Sequence, residues 1–316
     1  MASAGDEIAT RDKVFGDVKS RMVANDFKAL TTLEETYRTS RSRTTSGYWY
    51  LGLFHAGVDS FLSEGLTAEE GCSPRHADFV TRWRAASPNS PAPIIAHANM
   101  LMNEGWCHRG SGFANTLTPE AWSKFQEKLQ SSYELLETNK KIASINPEYY
   151  AVQTILYRGL NAPKDKFDDL MEEATKREPA YHRTYSNGVE YYLPQWGGSW
   201  SEVESFLRYA ANKPQKTDRS GVYVRILWTL DACNCNIYSE VSDWETLQTS
   251  MRDVYQRFPN GRNREYFMKL SCKLNKPQAA FEFAQMGFPE KSKDELNSMT
   301  MQACSEAMAE QQAASR

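Results

Sequence analysis

The stretch Tyr191–Ala210, YYLPQWGGSWSEVESFLRYA, decides how the rest of this chain is read. Pro194 lacks an amide N–H and clashes with the turn before it, so a helix arriving from the N-terminal side must stop. Gly197 and Gly198 supply the positive φ angles a tight corner needs. Ser199 with Glu202 is a capping box, in which hydroxyl and carboxylate each satisfy an orphan backbone donor at a helix start. Val203, Phe206, Leu207 and Ala210 then share one helical face. The reading is helix, corner, helix, with Trp196 and Trp200 wedged between rods.

The same start signals recur outward from that corner. Ser73-Pro74, Ser90-Pro91, Thr118-Pro119 and Asn146-Pro147 each pair an N-capping side chain with a proline at the first helical position, where the missing N–H has no helical partner. Ser242 with Glu245 and Ser292 with Glu295 repeat the capping box. Behind the starts run stripes of period 3.6: Trp122, Phe125, Leu129, Tyr133, Leu136; Phe167, Leu170, Met171, Ala174; Trp244, Leu247, Met251, Val254, Phe258. Nearer the N-terminus, Val14, Phe15, Val18 and Met22 mark a helix over 10–24, Phe27 to Tyr37 a second, and Tyr48 to Leu62 a third over 46–63. Gly221–Trp228 has β-branched content suited to a strand, but nothing nearby offers it a pairing partner, so it reads as helix. Starts near 119, 147, 164, 180, 199, 220, 243, 263, 277 and 293 pair into units of about 33 to 40 residues. The expectation is an all-α chain, an irregular stack of antiparallel helical hairpins of the tetratricopeptide or Sel1 solenoid kind. It reads as a single helical-repeat domain over 1–316, with weak seams near 87–93 and 213–220.

Composition removes several function classes. The 37 basic and 40 acidic residues leave a net charge of −3, which supplies no dominant attraction to nucleic acid or an anionic membrane. No run approaches the ~20 apolar residues of a transmembrane helix. The N-terminus has no apolar h-region, so a cytoplasmic location is expected for the sequence as given. Ala2-Ser3-Ala4 has the small-x-small character of a cleavage site, and a periplasmic location follows if a leader once preceded it. Six cysteines, at 72, 107, 233, 235, 272 and 304, are too sparse for a disulfide scaffold and read mostly as small core residues. Cys233-Asn-Cys235 lacks the two-residue spacer of a zinc or redox site, so neither metal nor cofactor is expected.

No nucleophile elbow, Walker loop, dinucleotide fingerprint or HExxH pair occurs, and no catalytic residue is nominated. The most reactive-looking group is Trp106, His108 and Arg109, where a planar guanidinium beside an indole could hold a carboxylate or phosphate. The plainer reading of these residues, and the favoured one, is a helix C-terminus closed by Gly110, with two cations on the negative end of the dipole. His55, His76, His97 and His182 are scattered. His97 and Glu104 could share a face of the helix Pro91 to Trp106, but a hydrogen-bonded, partly buried imidazole explains His97 as well. Arg38, Arg41 and Arg43 read as a solvated connection.

Four landmarks carry a resemblance: Gly47-Tyr48-Trp49-Tyr50-Leu51; Trp106-Cys107-His108-Arg109-Gly110-Ser111-Gly112; Pro194-Gln195-Trp196-Gly197-Gly198-Ser199 with Glu202; and Trp244, Phe258-Pro259, Phe267 and Cys272. Together they resemble a bacterial domain-of-unknown-function family that is helical throughout and distantly similar to tetratricopeptide proteins. The resemblance spans roughly 26–288, with Pro-x-Trp-Gly-Gly-Ser its most specific part. It implies the fold and carries no activity. Ser271-Cys272 and Asn275-Lys276 stand where it leads one to expect Ala-Cys and Gly-Asp.

Stacked hairpins make concave surfaces that grip other proteins, and Tyr, Trp and Met concentrate binding energy at interfaces. The expected function is therefore a non-enzymatic protein-binding module, by fold-level analogy a bacterial adaptor or toxin-neutralising immunity protein. Its expected partner is another protein, such as a toxin or a secretion-system component, with Trp106, His108, Arg109, Trp196 and Trp200 as binding residues. The rival is an enzyme or small-molecule binder with a pocket between Trp106–Arg109 and Trp196–Ser199.

Overall fold

The computed structural model describes residues 4–112, 116–213, 218–232, 240 and 243–314, and among them the regular elements are all helical. They run α1 Ala4–Val23, α2 Phe27–Ser40, α3 Tyr50–Leu62, α4 Ala77–Ala86, α5 Pro91–Arg109, α6 Pro119–Thr138, α7 Lys140–Ala143 and α8 Glu148–Gly159. There follow α9 Lys164–Arg177, α10 His182–Gly188, α11 Trp200–Ala211, α12 Val222–Ala232, α13 Trp244–Arg257, α14 Gly261–Lys273, α15 Pro277–Gly287 and α16 Lys293–Ala314. The all-α expectation holds, and Gly221–Trp228 is helical, Gly221 closing a short 3-10 turn and Val222–Trp228 opening α12.

Most start signals do what their chemistry demands. Ser90 accepts from the Ala92 N–H and Thr118 from the Ala121 N–H, each followed by proline at the first turn. Asn146 Oδ1 accepts from the Glu148 N–H at 2.9 Å. Ser292 and Glu295 form the full reciprocal box. Others differ. Ser73-Pro74 starts no helix: α4 begins at Ala77, and the segment before it is an irregular turn. Ser242 lies outside the described residues, and α13 is capped by Asp243, which accepts from the Thr246 N–H. At the Trp196–Ser199 corner only Gly197 has positive φ, at +88°. Gly198 is needed for space instead, because a Cβ there would stand 2.2 Å from the Tyr192 carbonyl oxygen.

The chain divides into two compact units, Arg11–Ser42 with Trp49–Gly198, and Met1–Thr10 with Arg43–Tyr48 and Ser199–Arg316. The division at Gly198 falls in the corner itself. In the larger unit α5 lies between two hydrophobic clusters. Its Ala92, Ala96 and Met100 join Phe54, Phe61, Phe79 and Trp83, while Ile94, Ile95, Ala98 and Met102 join Phe125, Leu129, Tyr149 and Leu156. That double duty explains why α5 is apolar around most of its circumference. In the smaller unit α14, α15 and α16 pack on one another, and α11, α12 and α13 pack in sequence.

Two expectations are corrected here. Arg43 is no solvated loop residue: its side chain is buried in an ion pair with Asp218 at 3.0 Å. Only Arg41 fits the solvated reading, since Arg38 pairs within α2 with the buried Glu34. The cysteines are not mainly lone core residues either. Cys72 is bonded to Cys107, with Cα atoms 5.7 Å apart, and Cys272 to Cys304, at 5.0 Å. Cys233 and Cys235 lie outside the described residues. Among the described residues no helix is long and apolar enough to cross a membrane.

Candidate functional site

The last turn of α5 carries Trp106, His108 and Arg109, closed by Gly110 at φ +63°. The structure brings Trp106, Arg109 and Trp196 together. The indoles of Trp106 and Trp196 meet edge to face, centroids 5.7 Å apart. Arg109 stands over both rings, at 5.5 and 5.6 Å. Arg158 of α8, which the sequence reading did not nominate, also stands over both, at 5.4 and 4.8 Å. Arg158 is only 9% exposed and pairs with Glu190. Burial and the neighbouring Arg109 guanidinium push it down to about 10, so it remains charged at neutral pH. Trp106, Trp196, Arg109 and Arg158 pack against one another, as a cation–π stack does, with Glu190 paired to Arg158 at its edge. His108 is half-buried in the same turn, and Trp200 belongs to the other unit, in the first turn of α11.

A second polar group lies deeper in the larger unit, and no motif announced it. Asn146 Nδ2 donates to Glu34 Oε1 at 2.8 Å and to His55 Nε2 at 2.9 Å. Glu148 accepts from the Tyr181 hydroxyl at 2.5 Å and from Arg183 Nη2 at 2.8 Å. Burial drives His55 down to about 4, although Glu148 pulls the other way. Burial also raises Glu34, against the opposing pull of Arg38. A visible signal did exist. His55 interrupts the apolar run Leu51–Val58, and Glu34 lies one turn beyond the core residue Leu30 on α2.

On the surface of the same unit run three depressions that share walls. The first, of about 500 Å³, is lined by Thr81, Arg84, Ser87, Pro88, His97 and Asn139, among others. Ser87 and Pro88 also line the second, of about 430 Å³, with Glu34, Glu35, Arg38 and Ile145. Arg38 and Ile145 continue into the third, of about 510 Å³, with Arg41, Trp49, Tyr150, Arg177 and Glu178. The shared lining residues place the three depressions side by side, in series. Ile145, common to two of the depressions, is 49% exposed although it is aliphatic. His97 and Glu104 do not pair: His97 Nδ1 accepts from Arg84, and Glu104 takes Lys128 at 2.7 Å.

Among the described residues no group of three or more His, Cys, Asp or Glu side chains could hold a metal ion. No family model, no curated protein and no solved structure matches the chain.

Proposed function

We propose that this chain is a protein-binding module whose larger unit receives a polypeptide segment in the trough between Arg84 and Glu178. The observation that carries the reading is that the three depressions adjoin in series, the first two sharing Ser87 and Pro88 and the last two Arg38 and Ile145. An open trough with a solvent-facing aliphatic residue at its middle suits an extended segment laid along it, whereas a small substrate is usually enclosed. The helices are read as an irregular array of stacked hairpins. Packing of α5 on α6, of α8 on α9 and of α14 on both α15 and α16 supports that reading. The disulfides favour an oxidising location, where such bonds persist. On the analogy of build alone, the role is read as that of an adaptor or a toxin-neutralising partner.

The rival pocket at Trp106–Arg109 is less favoured because Trp106, Arg109, Arg158 and Trp196 stack on one another. Selection of phage-displayed random peptides on the immobilised full chain tests the trough. Peptides are expected to be recovered, and Ile145→Asp should weaken their binding at least tenfold, about 1.4 kcal/mol, with the melting temperature unchanged because the side chain is half exposed. Recovery of no binder, or of binders indifferent to Ile145→Asp, would count decisively against the reading.

A further inference from the structure

The first depression differs from the other two in how its arginine is partnered. Arg38, Arg41 and Arg177 in the other two each pair with a glutamate, whereas among the described residues no acidic side chain lines the recess around Arg84. Arg84 has no ion pair among the described residues; its neighbour is His97, whose Nδ1 lies 3.0 Å from Arg84 Nη1. A guanidinium can only donate, so Nδ1 must accept, and the neutral ring keeps its proton on Nε2. Burial, reinforced by the Arg84 charge, lowers His97 to about 4, so the ring is neutral at physiological pH. The imidazole thus engages one donor of Arg84 without cancelling its charge, and Arg84 lines the recess. Ser87 adds a hydroxyl, while Ala85, Pro88 and Ile94 add apolar wall.

We propose that the Arg84 recess binds the C-terminal carboxylate of the partner polypeptide, with the last side chain resting on Ala85, Pro88 and Ile94. This rests on the trough reading above and names what the trough grips at one end. One planar fork bearing a single charge matches one carboxylate. A phosphate dianion is usually met by a cluster of cations, and among the described residues this recess offers one, Arg84. The recess also lies at one end of the series of depressions, where a chain terminus would come to rest.

The test needs no knowledge of the partner. The full chain, labelled with 15N-histidine, is titrated with N-acetyl-leucine, with N-acetyl-leucine amide, and with N-acetyl-aspartate diamide, which carries a carboxamide at every acidic position. The His97 ring signals are assigned from His97→Gln. N-acetyl-leucine should shift them saturably, and both amides should bind at least tenfold more weakly. Arg84→Gln should abolish the acid response and Arg84→Lys should leave part of it. N-acetyl-aspartate α-amide separates a side-chain carboxylate from a terminal one: binding equal to that of N-acetyl-leucine would overturn the terminal assignment. Equal response to acid and amide, or no response, would overturn the recess itself. Because capped amino acids do not span the trough, either failure leaves the peptide-selection result standing on its own.

Discussion

At the scale of single residues, His55 shows how a buried polar group couples stability to pH. Its Nε2 accepts from Asn146, a role that only the neutral ring can fill. Burial is the largest influence and Arg183 adds to it, together outweighing the opposite pull of Glu148 and holding the ring near 4. Above pH 6.5 the ring is neutral whether the chain is folded or not. Between 6.5 and about 4 only the unfolded chain takes up the proton, so stability falls as the pH drops through that window, by about 3 kcal/mol in all. Glu34 works in the opposite sense. Burial raises it, so its ionised form costs stability at neutral pH and protonation on acidification relieves that cost. Urea unfolding of wild type and His55→Gln across pH 4 to 7 isolates the histidine. The variant should lose less stability toward acid than wild type does, and parallel pH profiles would refute the assignment. Within the indole–guanidinium stack, Trp106, Arg109 and Trp196 were legible because the motifs that carry them are local. Arg158 and Glu190 were not, because only the folded chain brings α8 and the turn after α10 to that place.

At the scale of elements, the corner after Tyr192 is the most sharply constrained. A Cβ at Gly198 would meet the carbonyl oxygen, carbon and Cα of Tyr192, all closer than 3.0 Å. Backbone atoms cannot swing aside as a side-chain tip can. Gly198→Ala should therefore destabilise by about 2 kcal/mol or more, measured by urea denaturation. A loss below half that would mean the corner relaxes freely. Gly197, whose φ is +88° and whose Cβ would meet open space, is constrained by conformation instead. The corner was visible in sequence because proline, glycine and serine each act on neighbouring residues. The expected starts at 164, 199, 277 and 293 lie within one residue of α9, α11, α15 and α16 for the same reason. Ser73-Pro74 misled because its local grammar is outcompeted: Cys72, bonded to Cys107, holds a positive φ of +56° just before it. Arg43 escaped because Asp218, its partner, is 175 positions away.

At the scale of the molecule, each unit carries its own disulfide, closing spans of 35 and 32 residues. Restricting the unfolded chain over spans of that length is worth about 4 kcal/mol each in the chain-entropy account. Thermal unfolding with and without dithiothreitol checks this. Reduction should lower the melting temperature by several degrees, and Cys107→Ser should reproduce the part belonging to the larger unit. A melting curve indifferent to reductant would show that the bridges contribute little. Sequence spacing could not have paired these cysteines, since pairing depends on which loop returns to which helix.

The position of α5 has a consequence beyond packing. A rod that serves as the common wall of two oily rooms cannot lose its footing on one side and keep the other dry. Any cut at the proline-rich approach, Ser87 to Pro93, would strand that wall with both faces in water. The larger unit is thus indivisible where its chain looks most divisible, and evolution is left few faces of this helix on which to experiment.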